Sequence, residues 1–204
     1  MTLSLLLPKG KYLPRFLMAF AQSGLVVQRS SEREYSFAVT GPVEANITCV
    51  KMRDIPFLLS DCHFDCGVVG NEWVEESPYK HTLRELATLN LYSANLSLVG
   101  PVGVDESILD LPNIKIFTKY PATASRFLPS IGNAGNIVTL KGAVEGVVKV
   151  TGQLGVVCTE TGETLSQNGL ILIRHLMPCA PRLYTRECSG STQELWTLLL
   201  RGLV

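Results

Sequence analysis

The sequence predicts an α/β fold, and two observations carry that prediction. Short apolar runs rich in β-branched residues alternate with segments in which apolar residues recur every three or four positions. Such runs between helices are typical of strands buried in a sheet that helices cover. The composition agrees, because 46% of the 204 residues are hydrophobic and 18% are charged, as in a globular protein with a sizeable core.

The predicted strands follow one another along most of the chain. They are Leu3–Leu7, Leu25–Gln28, Ile47–Lys51, Cys66–Val69, Leu96–Val99, Ile114–Thr118, Ile137–Leu140, Gly155–Cys158 and Leu170–Ile173. The intervening helical patterns predict a first helix from Leu13 that ends before Gly24, and a second that Asp54 caps with Pro56 in its first turn. Further helices are predicted at Trp73–Ser77, Pro121–Leu128, Ala143–Val150 and Thr192–Leu200.

Charge and cysteine content exclude several classes of protein. Lys+Arg and Asp+Glu both number 18, so no net field draws the chain to nucleic acid or to an anionic membrane. The amino terminus has no basic segment before its short apolar run, which argues against a signal peptide, and the longest uncharged stretch is too polar to span a bilayer. Six scattered cysteines are too few for a secreted disulfide scaffold, so we expect a reducing cytoplasm.

Polar turns follow several predicted strands, where ligands bind in open α/β sheets. Lys9-Gly10-Lys11 follows the first strand and could grip phosphates, although a solvated turn is the alternative that spacing alone favours. The segment Asp65–Glu72 runs from an acid through a strand to a glycine turn and a second acid. Lys119 and Glu145 each follow a later strand at a predicted helix start. Together these turns predict a single ligand-binding cleft.

The segment "CTETGETLSQNGL", Cys158 to Leu170, contains the most suggestive of these turns. Threonines flank Gly162 before a possible helix start, which is how backbone N–H groups and hydroxyls hold an anion. Two carboxylates, Glu160 and Glu163, leave a metal site or an ordinary turn as alternatives. A separate group, Cys62, His63, Asp65 and Cys66, lacks the second cysteine pair that would complete a zinc tetrahedron.

Read in order, five stretches resemble ATP phosphoribosyltransferase, the first enzyme of histidine biosynthesis. They read "LPKGKYLPRFLMAFAQSGL", "RDIPFLL…FDCGVVGNEWVEE", "IKIFTKYPATASRFL", "LKGAVEG" and "TETGETLSQNGL". The length resembles the family's short form, which lacks the carboxy-terminal regulatory domain. The resemblance implies two α/β lobes like a type II periplasmic binding protein with the ligand cleft between them. Lobe one would be 1–92 plus 175–204, and lobe two 93–174 with the phosphate-binding loop.

The same resemblance implies the reaction and its residues. Adenine N1 of ATP would attack the ribose C1 of phosphoribosyl pyrophosphate, and pyrophosphate would leave with Mg²⁺. Lys9 and Glu145 would be catalytic. The residues expected to bind phosphoribosyl pyrophosphate are Glu160, Thr161, Gly162, Glu163, Thr164 and Leu165, and those expected to bind ATP are Lys9, Gly10, Lys11, Asp65, Gly70 and Lys119. The implied partner is a regulatory subunit resembling histidyl-tRNA synthetase, in a hetero-octamer.

The chain departs from the family pattern just before the loop. Where the family usually reads "GLADAIVD", this chain reads "TGQLGVVC". The expected acids are replaced by Gln153 or Leu154 and by Val157 or Cys158, depending on the register. The alternative to an active catalytic subunit is therefore a non-catalytic relative that binds a nucleotide or sugar phosphate as a sensor or partner subunit.

Overall fold

A computed structural model of the protein describes residues 2–61, 63–128 and 136–186. The strands are β1 Leu3–Pro8, β2 Val26–Gln28, β3 Ser36–Thr40, β4 Ala45–Val50, β5 Cys66–Gly70, β6 Leu83–Thr88, β7 Ala94–Pro101, β8 Ile116–Thr118, β9 Ile137–Thr139, β10 Leu154–Thr159, β11 Leu170–Cys179 and β12 Pro181–Arg186. The α-helices are α1 Leu13–Gln22, α2 Ile55–Ser60, α3 Asn71–Glu76, α4 Pro121–Phe127, α5 Val144–Thr151 and α6 Glu163–Gln167. None of the helices within these ranges is long and apolar enough to cross a membrane.

The chain divides into two compact units. Among the described residues, unit 1 comprises 2–92 and 180–186, and unit 2 comprises Ser93–Cys179. The sequence placed the return to the first lobe at residue 175. In the structure residues 175–179 belong to unit 2, because β11 continues to Cys179 and stays paired with β7 up to Ala94.

Unit 1 is built on a seven-stranded mixed sheet in the order β2-β3-β4-β1-β5-β12-β6. The central strand β1 pairs in parallel with β4 and β5, so the carboxyl ends of these three strands share one edge. Helix α1 presents Phe16 and Phe20 to the sheet, and both are fully buried. Truncation of either ring to alanine would cost about 3–5 kcal/mol of stability. This packing of α1 on the sheet holds the turn between β1 and α1 in place.

Unit 2 contains a five-stranded sheet in the order β11-β7-β10-β8-β9. β10 pairs in parallel with β8 and antiparallel with β7. Helix α5 packs directly on β10 at Gly155, where a Cβ atom would lie 2.8 Å from Val148 Cγ2 and 3.1 Å from Val144 Cγ1. The glycine therefore allows the close helix–strand approach that brings the first turn of α5 to the end of β10.

The predicted strands are confirmed within two residues at their ends, except that β11 continues to Cys179, six residues beyond the predicted Ile173. The predicted helices within the described residues are confirmed except for their exact bounds. The helix predicted at Thr192–Leu200 lies outside the described residues. Three strands, β3, β6 and β12, were missed. Their sequences mix polar and apolar residues because each exposes one face or lies near the sheet edge.

Candidate functional site

The threonine–glycine loop of unit 2 follows β10 and leads into α6. Gly162 has a φ of 76°, in the left-handed region that L side chains rarely adopt, and α6 begins at the next residue. Thr161 and Thr164 are exposed, whereas Leu165 is buried against the core of α5 and β10. Leu165 therefore turns inward as α6 begins.

This loop can bind an anion mainly through backbone N–H groups and threonine hydroxyls. The first N–H groups of a helix have no partner within the helix, so they can donate to a ligand at its start. Thr161 Oγ1 accepts from the Glu163 N–H at 3.4 Å, a long contact that an incoming phosphate could replace. Because α6 spans only Glu163–Gln167, its dipole is short, and N–H groups and hydroxyls would supply most of the attraction.

A small pocket of about 70 Å³ lies at the carboxyl ends of β8 and β10. It is lined by Lys119, Tyr120, Val144, Glu145, Val156, Val157 and Cys158. The structure thus brings together Lys119 and Glu145, which lie 26 positions apart in the sequence. Their ammonium group and carboxylate line the same cavity. Both side chains are partly exposed, so a ligand can reach them.

Thr118 holds the Lys119 turn in place, and sequence reasoning missed this role. Its hydroxyl donates to the Val156 carbonyl at 2.8 Å and accepts from the Tyr120 N–H at 2.9 Å. Thr118 is fully buried, so these bonds are shielded from water. The turn after β8 is therefore fastened to β10, next to the residues that line the pocket.

The altered stretch before the loop lies against this pocket. Val157 is buried in the core of unit 2 together with Val99, Val144 and Val148, while the thiol-bearing Cys158 is partly exposed. Gln153 lies at the other end of β10, where its Oε1 accepts from the Lys115 N–H. On either register, an apolar side chain or a thiol of β10 therefore stands where the family pattern has its second acid.

In unit 1 the lysine turn lies beside a large open pocket of about 770 Å³. Lys9 continues the β1–β4 pairing by donating its N–H to the Val50 carbonyl at 2.8 Å, and Gly10 then turns the chain with a φ of 108°. The pocket is lined by Lys9, Gly10, Leu13, Pro14, Leu17, Arg29, Glu32, Tyr35, Lys51 and Met52. An apolar floor below several cations suits a flat ring that carries an anionic tail.

Three lining residues were missed by sequence reasoning. Lys51 directly follows β4 as Lys9 follows β1, and since these neighbouring strands are parallel, this could have been inferred. Arg29 and Tyr35 flank an irregular segment that the sequence does not signal. Arg29 is held by the carbonyls of Glu32 and Glu34, and Lys9 Nζ lies 5.1 Å from the centre of the Tyr35 ring.

Lys11 has a different environment from Lys9. Its Nζ lies 4.8 Å from the centre of the Tyr12 ring, and Tyr12 stacks on Tyr92 at 4.7 Å. The described residues that line the unit 1 pocket include Lys9 and Gly10 but not Lys11. Of the two lysines, the structure therefore places only Lys9 at the pocket.

Asp65 lies at the opposite end of the sheet from Lys9. It precedes β5, and its Oδ2 accepts from both the N–H and the hydroxyl of Ser4, each at 2.8 Å, at the start of β1. The five residue steps from Ser4 to Lys9 along the extended strand separate the two positions by roughly 16 Å. The grouping of Asp65 with the ligand-binding turns is corrected here, because its carboxylate joins the amino ends of β1 and β5.

Gly70 does lie at the carboxyl end of β5, but its neighbour fills the space above it. A Cβ atom on Gly70 would lie 2.3 Å from both carboxylate oxygens of Glu72. Glu72 is buried, its Oε2 has no hydrogen-bond partner among the described residues, and burial raises the pKa of its carboxyl to about 7. This glycine therefore accommodates the folded-back Glu72 side chain.

No three His, Cys, Asp or Glu side chains of the described residues converge as a metal site. In the candidate zinc group, Cys62 lies outside the described residues, His63 pairs with Asp61 at 3.3 Å, and Cys66 is fully buried in β5.

Comparison with known proteins identifies relatives across most of the chain. The model of the family HisG, ATP phosphoribosyltransferase, matches residues 51–203. An ATP phosphoribosyltransferase of Caldanaerobacter subterraneus subsp. tengcongensis is 28% identical over 194 residues, which cover 94% of this chain and 90% of the relative.

Two solved structures share the fold. The ATP phosphoribosyl transferase (HisG:HisZ) complex from Thermotoga maritima contains a chain that superposes with a TM-score of 0.78 at 24% identity, covering 98% of both chains. The AvGluR1 ligand binding domain in complex with serine superposes with a TM-score of 0.61 at 12% identity, covering 98% of this chain and 89% of the other. The architecture is therefore that of a two-unit α/β protein of the type II periplasmic-binding-protein kind.

Proposed function

Because the chain belongs to the ATP phosphoribosyltransferase family, we propose that it is a short-form catalytic subunit that transfers the phosphoribosyl group of phosphoribosyl pyrophosphate to N1 of ATP. This is the first step of histidine biosynthesis. In the reaction the N1 lone pair forms a bond to ribose C1, and the bond from C1 to the pyrophosphate oxygen breaks. Pyrophosphate leaves with that electron pair.

The observation that carries the proposal is the phosphate loop of unit 2 beside a pocket with an amine and an acid. Gly162 is in the left-handed conformation and has no side chain, so a ligand can approach the backbone there. Thr161 and Thr164 are exposed at the start of α6. We assign the 5-phosphate of phosphoribosyl pyrophosphate to Glu160–Leu165. The neighbouring Glu145 would accept hydrogen bonds from the ribose hydroxyls, and Lys119 would offset phosphate charge.

We assign ATP to the unit 1 pocket. Lys9, Arg29 and Lys51 would offset the triphosphate charge, and the apolar floor with Tyr35 would receive the base. Asp65 is left out, since its carboxylate is engaged with Ser4. Such a reaction needs little covalent help from the protein, because alignment of the reactants and neutralisation of pyrophosphate supply most of the rate.

We propose that Mg²⁺ arrives bound to the pyrophosphate group of the substrate. The described residues form no carboxylate cluster of their own, and Mg²⁺ is commonly held by substrate phosphates with one or two protein oxygens. Glu145 lines the pocket and could supply such an oxygen. Bound there, the ion would neutralise leaving-group charge.

Two further proposals concern the setting of the enzyme. A regulatory subunit resembling histidyl-tRNA synthetase would assemble with this chain in a hetero-octamer. A cytoplasmic location is proposed because six scattered cysteines are too few for a secreted disulfide scaffold, which favours a reducing compartment.

The test is a spectrophotometric assay of phosphoribosyl-ATP formation by the full chain, with and without the regulatory subunit. Lys9→Ala should raise KM for ATP about tenfold with nearly unchanged thermal stability, because Lys9 is exposed. Lys149→Ala, which removes an exposed lysine from α5, is the matched control and should leave KM unchanged.

Binding of phosphoribosyl pyrophosphate without any turnover would reject catalysis. It would favour the non-catalytic relative, which the replacement of the expected acids by Gln153 or Leu154 and by Val157 or Cys158 makes a specific alternative. Loss of stability in Lys9→Ala with unchanged KM for ATP would show that the lysine turn is structural.

A further inference from the structure

Three polar side chains form a row across three neighbouring strands of unit 2, which we name the Ser97 row. Ser97 on β7 lies between His175 on β11 and Thr159 on β10. Its Oγ is 3.0 Å from His175 Nδ1 and 3.3 Å from Thr159 Oγ1. Thr159 Oγ1 also donates to the Asn95 carbonyl at 3.2 Å. The row thus connects the edge strand of the sheet to the last residue of β10.

The environment of Ser97 makes this row costly to disturb. Ser97 is fully buried, and Val99 and Val157 lie on the same face of the sheet. A buried hydroxyl without a partner destabilises a protein, and the Ser97 hydroxyl has three: His175, Thr159 and the Asn95 carbonyl, which accepts from it at 3.3 Å. Glu160 directly follows Thr159, so the row ends where the phosphate loop begins.

The register of β11 is altered on both sides of His175. One shift falls between Leu172 and Arg174, and another between His175 and Met177. If the pairing of Leu172 with Val99 continued residue by residue, Arg174 would lie opposite Ser97. The inserted residue places His175 there, as bulges near functional sites often re-aim a side chain.

The same shift gives Arg174 its own partners. It pairs with Leu98, so its side chain lies on the opposite face, where it contacts Glu106 and donates to the Phe127 carbonyl at 3.3 Å. Arg174 and His175 are therefore adjacent in sequence but serve opposite faces of the sheet. This makes Arg174 a matched control for His175.

We propose that the Ser97 row positions the phosphate-binding loop, with Ser97 and His175 as positioning residues for the binding of phosphoribosyl pyrophosphate. The proposal rests on the function proposed above for the loop. The row links Thr159, the last residue of β10, to Ser97 of β7. This link fixes the direction in which Glu160–Leu165 leaves the sheet. His175 acts through Ser97 and Thr159 and does not itself contact the ligand.

The first test is steady-state kinetics of Ser97→Ala, His175→Ala, His175→Asn and Arg174→Ala. The first two should raise KM for phosphoribosyl pyrophosphate about five- to tenfold, as expected for one lost hydrogen bond, with kcat and KM for ATP nearly unchanged. Asparagine places an amide near the position of Nδ1, so His175→Asn should restore most of the affinity. Arg174→Ala should behave as the wild type.

The second test is hydrogen exchange in the ligand-free full chain. The amides of Ser166 and Asn168 bond to the carbonyls of Gly162 at 3.1 Å and Thr164 at 3.2 Å, so their exchange reports on the loop and the first turn of α6. Ser97→Ala and His175→Ala should exchange faster there, and Arg174→Ala should not.

Unchanged exchange in both variants overturns the proposal whatever the kinetics show. Faster exchange in Arg174→Ala to the same degree also overturns it, because it would reflect a general weakening of the edge strand. If the wild-type chain neither binds nor consumes phosphoribosyl pyrophosphate, the proposed function fails, while the exchange data still decide whether the row positions the loop.

Discussion

Glu72 illustrates how one side chain can make the stability of this protein depend on pH. Burial raises the pKa of its carboxyl from 4.5 to about 7, so the folded chain holds this proton more tightly than the unfolded chain does. The free energy of unfolding therefore decreases as pH rises from about 4.5 through 7. Below 4.5 the contribution is fully present, and above 7 it is lost.

We expect Glu72→Gln to flatten this dependence. Between pH 5 and pH 8 the wild type should lose up to ~3 kcal/mol of unfolding free energy through Glu72, and the variant should lack that part of the change. Denaturant unfolding at several pH values measures it. Glu44→Gln, which changes an exposed acid of the same unit, is the control and should keep the wild-type slope. Equal slopes in Glu72→Gln and wild type would contradict the prediction.

At the scale of single residues, the sequence indicates which turns follow strands but not where each side chain points. Sequence reasoning singled out Lys9, Glu145 and the Gly162 loop because each follows a strand at a glycine or a helix start, and their role as ligand-binding residues stays a prediction. It grouped Asp65 with them because the order along the chain does not reveal which end of β5 an adjacent residue occupies. It missed Arg29 and Tyr35, since their place at the pocket depends on the irregular segment between β2 and β3.

At the scale of elements, the loop between β10 and α6 offers a test of backbone conformation. Gly162 has a φ of 76°, and a Cβ atom there would meet no atom within 4 Å, so a side chain would be strained by the backbone and not by crowding. We expect Gly162→Val to shift the loop out of the left-handed conformation and abolish binding of phosphoribosyl pyrophosphate. Titration calorimetry measures this directly.

Gly152 provides the matched control for that substitution. It ends α5 with a φ of 67°, and a Cβ atom there also meets open space. Gly152→Val should therefore cost similar stability, about 1–2 kcal/mol, while affinity for phosphoribosyl pyrophosphate stays near that of the wild type. Wild-type affinity in Gly162→Val would leave the loop as an ordinary turn, and equal loss in both variants would show a general effect on unit 2.

Strands were predicted correctly where burial makes most of their residues apolar. β1, β5, β7 and β10 are buried along most of their length, and apolar residues predominate in each of them. β6 lies at the edge of its sheet with half of its positions exposed, so neither alternation nor a continuous run marks it. The shifts within β11 are seen only in its pairing with β7, which the sequence of a single strand does not show.

At the scale of the whole molecule, the chain passes from unit 1 into unit 2 after Tyr92 and returns at Ala180. The first boundary coincides with the one drawn from the sequence, and the second lies five residues further on. The apolar pattern of β11 weakens after Ile173, which is why its extension to Cys179 was not anticipated. The seven-stranded sheet of unit 1 is consequently completed by β12, a strand from the distant carboxy-terminal part of the chain.

Assembly provides the last prediction, and it belongs to the molecule as a whole. If this chain works with a subunit resembling histidyl-tRNA synthetase, the purified chain should form phosphoribosyl-ATP slowly. Addition of that subunit should raise the rate by roughly tenfold, as for a coupling free energy of usual size. Sedimentation velocity should show a heavier species, and the rate should saturate at the same mixing ratio as the heavier species. An unrelated protein at equal concentration is the control. Full activity of the isolated chain, with unchanged sedimentation on mixing, would show that it works alone.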